Sequence, residues 1–193
     1  MNPEIQKNSE IETPKKENFL KEIIKFIVII IVSVLFVRNF IALPFIVVGP
    51  SMDPTFNTGQ YLIVDRVSYR IHDPRRNDVI VFRYPNDPKV FYIKRIIGLP
   101  GETISIDTGR VNIINSENPE GFDLSNDYVS KNHRSSENFK TTLGENEYFV
   151  MGDNRTESSD SRAWGSLDEK YIIGRPILRL WPISKIDLVP GKI

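Results

Sequence analysis

Val90-Phe91-Tyr92-Ile93-Lys94-Arg95-Ile96-Ile97 reads as a β-strand. β-branched and aromatic side chains dominate it, and these fit a pleated, half-buried surface. Alternate residues of a strand share a face, so Lys94 lies with Val90, Tyr92 and Ile96. A lysine on an apolar face is unusual. Burial disfavours the ammonium and moves its pKa from about 10.4 towards the range of about 7–8, where an amine is a useful base. The alternative is a strand-end lysine whose stem covers apolar surface while its amine stays in water. Arg95 beside it shows that the segment tolerates charge.

The same texture recurs on both sides. Tyr61–Val64, Val79–Phe82, Thr103–Ile106, Val111–Ile114, Tyr148–Met151 and Tyr171–Trp181 are short and β-rich, with Gly, Pro, Asn or Asp between them. Asp107-Thr108-Gly109-Arg110 fits a hairpin turn. From Asn115 to Thr142 the rhythm breaks into a long stretch rich in Asn, Ser and Glu, read as a polar surface insertion. The fold class is therefore mainly β: a folded or closed antiparallel β-domain over 44–193, with an insertion near 115–142.

Upstream the pattern changes. Residues 1–18 are polar, mixed in charge and carry two prolines, which reads as a disordered tail. Residues 19–43 hold the apolar run Phe26–Val37, flanked by Lys25 and Arg38. The charge-free part is shorter than the roughly 20 residues of a spanning helix. Counting from Ile23 to Ile41 restores the length, with both cations placed to reach headgroups. A cleaved signal peptide is disfavoured, since Arg38 and Asn39 follow the run where a small-x-small site would stand. A buried core helix is disfavoured by the lack of an apolar stripe. The expectation is a single-pass transmembrane anchor helix over 19–43, stopped at Pro44. Lys7, Lys15, Lys16, Lys21 and Lys25 lie on its N-terminal side, whereas on the other side Arg38 stands alone until Arg66. The positive-inside rule then keeps the tail cytoplasmic and makes the β-domain extracytoplasmic, at the cell membrane.

The totals exclude several chemistries. The 193 residues carry 25 basic and 25 acidic side chains, so no basic excess points to nucleic acid. There is no cysteine, which removes disulfides, thiolate metal sites and thiol nucleophiles. The two histidines, His72 and His133, lie in a turn and in the polar insertion, and neither suits a metal site or a Ser-His-Asp triad. No metal and no cofactor is expected.

Two polar stretches remain. Gly49-Pro50-Ser51-Met52-Asp53-Pro54-Thr55 holds a serine in a turn stiffened by prolines. Ordering a hydroxyl in advance lowers the entropic part of a barrier, although Pro, Ser and Gly are also common in any loop leaving a helix. Met151 to Gly165 follows a strand, is dense in hydrogen-bonding side chains, and offers Ser158 or Asp160 to orient an amine. It is equally readable as a satisfied structural loop, and it lacks the alternation of an EF-hand.

Together these segments resemble bacterial type I signal peptidases. That family carries a Ser-Met box just after a membrane span, a strand with Lys-Arg followed by Gly-x-Pro-Gly-Asp/Glu, and a Gly-Asp-Asn-x-x-x-Ser-x-Asp-Ser-Arg box. Here they read Pro50–Thr55, Lys94–Glu102 and Gly152–Gly165, with Asn77–Phe82 matching a further box between the first two. Four motifs in order are far more specific than any one. The resemblance implies the β fold shared with LexA-like proteins, and a serine endopeptidase that removes N-terminal signal peptides from exported preproteins after small residues (A-x-A type). It implies Ser51 as nucleophile, neutral Lys94 as general base, Ser158 bonded to the lysine amine, and Asp160 with Arg162 as a supporting pair. It gives the Ser51 N–H as one oxyanion donor. Gly49 stands where some members carry a serine that supplies the second. Substrate would lie extended between two strands, against Val47, Val48, Gly49, Met52, Tyr92 and Ile93. The expected partners are signal peptides emerging from the secretion machinery and the lipid bilayer. LexA-like repressors share the dyad but carry a DNA-binding domain in front. A membrane-anchored β-domain that only binds is the rival of another class, and Ser51 with Lys94 argues against it.

Overall fold

The computed structural model describes residues 16–125, 127–130, 132 and 138–192. Most of the expected tail and His133 lie outside them. The chain forms two units, residues 1–37 and 38–193.

In the first unit α1, Lys16–Phe36, is a single helix; the π-helical turn that follows it, Val37–Ile41, falls mostly in the second unit. Its apolar side chains from Phe19 to Val37 are exposed on every side, Phe26 by 66%. No helix among the described residues is long and apolar enough to cross a membrane. Lys21, Glu22 and Lys25 interrupt the first turns of α1. The helical run ends at Ile41 rather than at residue 43, because Ala42 already begins a strand.

The second unit is antiparallel β. Its strands are β1 (Ala42–Ile46), β2 (Tyr61–Asp65), β3 (Val79–Tyr84), β4 (Asp87–Gly98), β5 (Thr103–Asp107), β6 (Arg110–Ile114), β7 (Phe122–Asp123), β8 (Phe139–Thr142), β9 (Glu147–Met151), β10 (Leu167–Asp168), β11 (Ile172–Trp181) and β12 (Asp187–Leu188). One sheet runs β1-β2-β11-β3-β4-β9-β10, with β12 on β11, and the other runs β7-β6-β5-β8. Pro44 lies inside β1, not at a helix stop. It is tolerated there because β1 is an edge strand and one side of its backbone needs no ladder donor.

The unbroken apolar run of β3 is explained by burial on both faces. Val79 and Val81 join a core with Val47, Met52, Phe56, Leu62, Val64 and Ile93. Ile80 and Phe82 join a second core with Ile96, Tyr148, Val150 and Leu167. The smaller sheet has its own core of Ile104, Ile106, Val111 and Ile113 against Ile97, Phe149 and Met151. Asp107 pairs with Arg110 across a two-residue turn, as the sequence predicts. The stretch 115–142 is not all insertion: β7 and β8 come from it and pair with β6 and β5. The polar sequence hid them because Phe139–Thr142 alternates between half-buried and exposed positions at the rim of a small sheet.

Candidate active site

Three segments of the second unit converge. The first is the turn after β1. Val47 N–H donates to Gln60 O at 3.0 Å and Gly59 N–H donates to Val47 O at 2.9 Å, which closes the base of the loop. Met52 and Phe56 are fully buried and pin it to the core. Asp53 N–H donates to Pro50 O and Phe56 N–H to Met52 O, so the chain coils tightly around Ser51. The second segment is β4, whose Lys94 pairs with Ile80 of β3 and is only 4% exposed. The third is the loop after β9, with α2 (Ser161–Trp164) behind it.

Lys94 Nζ lies 2.7 Å from Ser51 Oγ. Burial brings the pKa of Lys94 down to about 8, against the raising influence of the Asp160 and Asp153 carboxylates. Its amine also stands 5.1 Å from the centre of the Tyr92 ring. An amine with this pKa is substantially neutral in mildly alkaline water, and its lone pair can take the proton of a hydroxyl at this distance.

Behind the pair stands a web of charge. Asp153 is fully buried and takes two bonds from Arg95, Nε to Oδ1 at 2.8 Å and Nη2 to Oδ2 at 2.7 Å. Arg95 Nη1 donates to the carbonyls of Asn77 and Gly191, both at 2.8 Å. Thr55 Oγ1 donates to Asp153 Oδ2 at 2.5 Å, and Asn154 N–H donates to Ser51 O at 3.1 Å. The loop after β9 is thereby tied to the serine turn at two points.

Asp160 and Arg162 form a two-point pair, Nε to Oδ1 at 2.8 Å and Nη2 to Oδ2 at 2.9 Å. Asp160 also accepts from Gly152 N–H at 3.1 Å and caps α2 through Arg162 N–H. Ser158 departs from what the resemblance implies: its Oγ is buried and has no hydrogen-bond partner among the described residues. It sits over Gly152, where an added Cβ would stand 2.3 Å from Ser158 Oγ and 2.3 Å from Ser51 O. Only glycine fits between these two atoms. Gly152→Ala is expected to lower kcat about a hundred-fold, because the backbone of Ser51 must shift. Cleavage kinetics at matched thermal stability check this, and a variant with wild-type kcat would show that the serine turn yields without loss.

The expected substrate-contact residues split into two groups. Val47, Met52 and Ile93 are core residues, at 1%, 0% and 5% exposure, so in this conformation they do not line an open pocket. Val48 is 81% exposed, and Tyr92 is half-buried. Gly49 has φ of +91°, a conformation that a serine adopts only with strain. Its carbonyl accepts from Thr58 Oγ1 at 3.0 Å. His72, the described rival base, lines a separate cavity of about 440 Å³ whose wall contains neither Ser51 nor Lys94.

The sequence reading missed Gly152, Thr55, and the roles of Arg95 and Asp153. A signal was available for the last two, since Arg95 is next to the strand lysine and Asp153 follows the loop glycine.

The family described as signal peptidase, peptidase S26, matches residues 20–181. The probable signal peptidase I-1 of Synechocystis is 35% identical over 185 residues, covering 92% of this chain and 90% of that protein. The signal peptidase I of Bacillus licheniformis is 34% identical over 190 residues, covering 92% and 97%. A solved signal peptidase I from Enterococcus faecalis, 34% identical, superposes with a TM-score of 0.46 and covers 54% of this chain and 97% of that one.

Proposed function

The chain belongs to the signal peptidase family, peptidase S26, and from that premise we propose that it cleaves with Ser51 as nucleophile and Lys94 as general base. It is a serine peptidase that removes signal peptides from preproteins. The observation that carries the mechanism is the 2.7 Å contact between Ser51 Oγ and an amine whose pKa burial lowers to about 8.

Neutral Lys94 takes the Ser51 proton as Oγ attacks the scissile carbonyl carbon, and the charged amine then returns a proton to the leaving nitrogen. The Asp153 and Asp160 carboxylates favour that transient ammonium, while burial favours its discharge. The Ser51 N–H serves as one oxyanion donor. Substrate lies extended along the edge offered by Val48 and Tyr92, with small residues at the last and third-last positions before the cut.

The exposed apolar surface of α1 supports a bilayer anchor, with Lys25 and Arg38 at headgroup level and the tail cytoplasmic. A helix that is apolar all round is stable only where water is excluded. The β unit then works outside the cytoplasm on preproteins as they emerge.

One experiment tests the whole reading. Membranes from expressing cells are washed with alkaline carbonate and supplied with a preprotein bearing an Ala-x-Ala site, and the products are read by mass spectrometry. Activity should stay in the pellet, and the cut should fall after the last small residue. Recovery of the chain in the supernatant would sink the anchor. A pellet that retains the chain but leaves the preprotein whole would sink the peptidase assignment in favour of a binding role.

A further inference from the structure

The stretch between β7 and β8 carries Tyr128, and its ring covers the guanidinium of Arg95. The ring centre is 4.4 Å from Arg95 Cζ and 5.9 Å from Arg155 Cζ. Arg155 Nη2 donates to the Tyr128 hydroxyl at 3.2 Å, and Arg155 Nε donates to Gly152 O at 3.0 Å. Next to it Val129 is 3% exposed and anchors the segment. Arg95, Arg155 and Asp153 are all buried. One side chain thus touches both arginines that hold the Gly152–Asn154 segment, and that segment carries the bond to Ser51 O.

We propose that Tyr128 is a positioning residue for the peptidase reaction: its ring seals Arg95 from water, its hydroxyl fixes Arg155, and together they hold the loop after β9 against Ser51. A cation over an aromatic face gains most when water is excluded. A guanidinium bound on four sides still exposes its faces, and a flat ring covers one of them without asking for a further donor. Tyr128 and Val129 then belong to the support of the site rather than to surface filling. Loss of the ring admits water beside Asp153, and the loop loses its fixed distance to the serine turn.

This inference rests on the dyad proposed above, and the test keeps the two apart. The full chain in detergent is assayed with a preprotein substrate as wild type, Tyr128→Leu, Tyr128→Phe and Lys94→Met. Each rate is normalised to folded protein by thermal melting. Tyr128→Leu should lower kcat about ten- to a hundred-fold with KM within about two-fold, since geometry and not binding is disturbed. Tyr128→Phe keeps the ring and should lose only about three-fold. The acid limb of kcat/KM should move to higher pH in Tyr128→Leu. The charged groups facing Lys94 are Asp153 and Asp160, and water admitted beside them reduces the desolvation that holds the amine neutral. If Tyr128→Leu does not fold, Tyr128→Met carries the same reading, because an unbranched side chain fills the gap without a π face. Wild-type kcat and an unmoved limb in the folded Leu or Met variant overturn the inference, and so does a Phe variant as slow as Leu. If Lys94→Met still cuts, the dyad fails and the inference falls with it. If Lys94→Met is dead while Tyr128→Leu is unimpaired, only the inference falls.

Discussion

Lys94→Met will abolish cleavage and at the same time make the fold more stable at neutral pH. The loss of activity should reach at least about 10⁴-fold in kcat, because members of a nucleophile–base unit do not act independently and the remaining serine is a poor nucleophile alone. The gain in stability comes from the same burial. The pKa of Lys94 is lowered from 10.5 to about 8 in the folded chain. Below about pH 8 the folded state must carry a desolvated ammonium that the unfolded chain keeps in water. The stability linked to this group is therefore fully present only above 10.5, and it is lost as pH falls through about 8. Methionine fills similar space without a charge, so the variant should be more stable at pH 7 by up to roughly 3 kcal/mol. The difference should shrink as pH rises from about 8 to 10.5. Urea unfolding of both proteins across that range checks it, with wild-type kcat/KM rising through an acid limb near pH 8 as the kinetic counterpart. A stability difference that does not change with pH would mean that Lys94 is solvated, and the base would have to be sought elsewhere.

The second large effect belongs to Asp153→Ala. Arg95 is 1% exposed and Asp153 is fully buried. Among the described residues, removing the carboxylate leaves the buried guanidinium with the Asn77 and Gly191 carbonyls and the Tyr128 ring alone. Breaking one side of such a pair costs about 3–5 kcal/mol, mostly as the penalty of the stranded charge. Thr55 loses its acceptor as well, so the serine turn loosens and kcat falls beyond what stability explains. The double variant Arg95→Met with Asp153→Leu removes both charges. It should recover most of the stability and little of the activity, since an apolar pair can replace the packing but not the hold on Thr55. Chemical denaturation with cleavage kinetics on the same preparations reads both. An Asp153→Ala protein that unfolds at the wild-type midpoint would show that the pair carries no net stability.

What could be read from residues alone was the chemistry more than its support. Ser51 and Lys94 stand out because a serine between prolines and a lysine on an apolar strand are locally odd choices, and motif order then links them. Most strands of the larger sheet were legible from continuous apolar runs such as Val79–Phe82. β1 was not, because Pro44 next to a long apolar helix reads as a stop, and only the edge position of the strand makes proline acceptable. β8 was not, because its inward positions are only half-buried and tolerate polar residues. Gly152 gave no signal of its own: what marks it is the backbone of Ser51, 101 positions away in sequence, lying where a methyl group would go. Tyr128 was concealed by its polar neighbours, whose composition says surface while one ring turns inwards.

Arg95 gathers four hydrogen bonds from three places, and one of these is the carbonyl of Gly191, 96 positions downstream. During synthesis that carbonyl arrives long after Ser51 and Lys94 have left the ribosome. Until residue 191 is made, the guanidinium lacks this acceptor and the backing of Ser51 and Lys94 is incomplete. The support behind Ser51 and Lys94 is therefore completed late in synthesis.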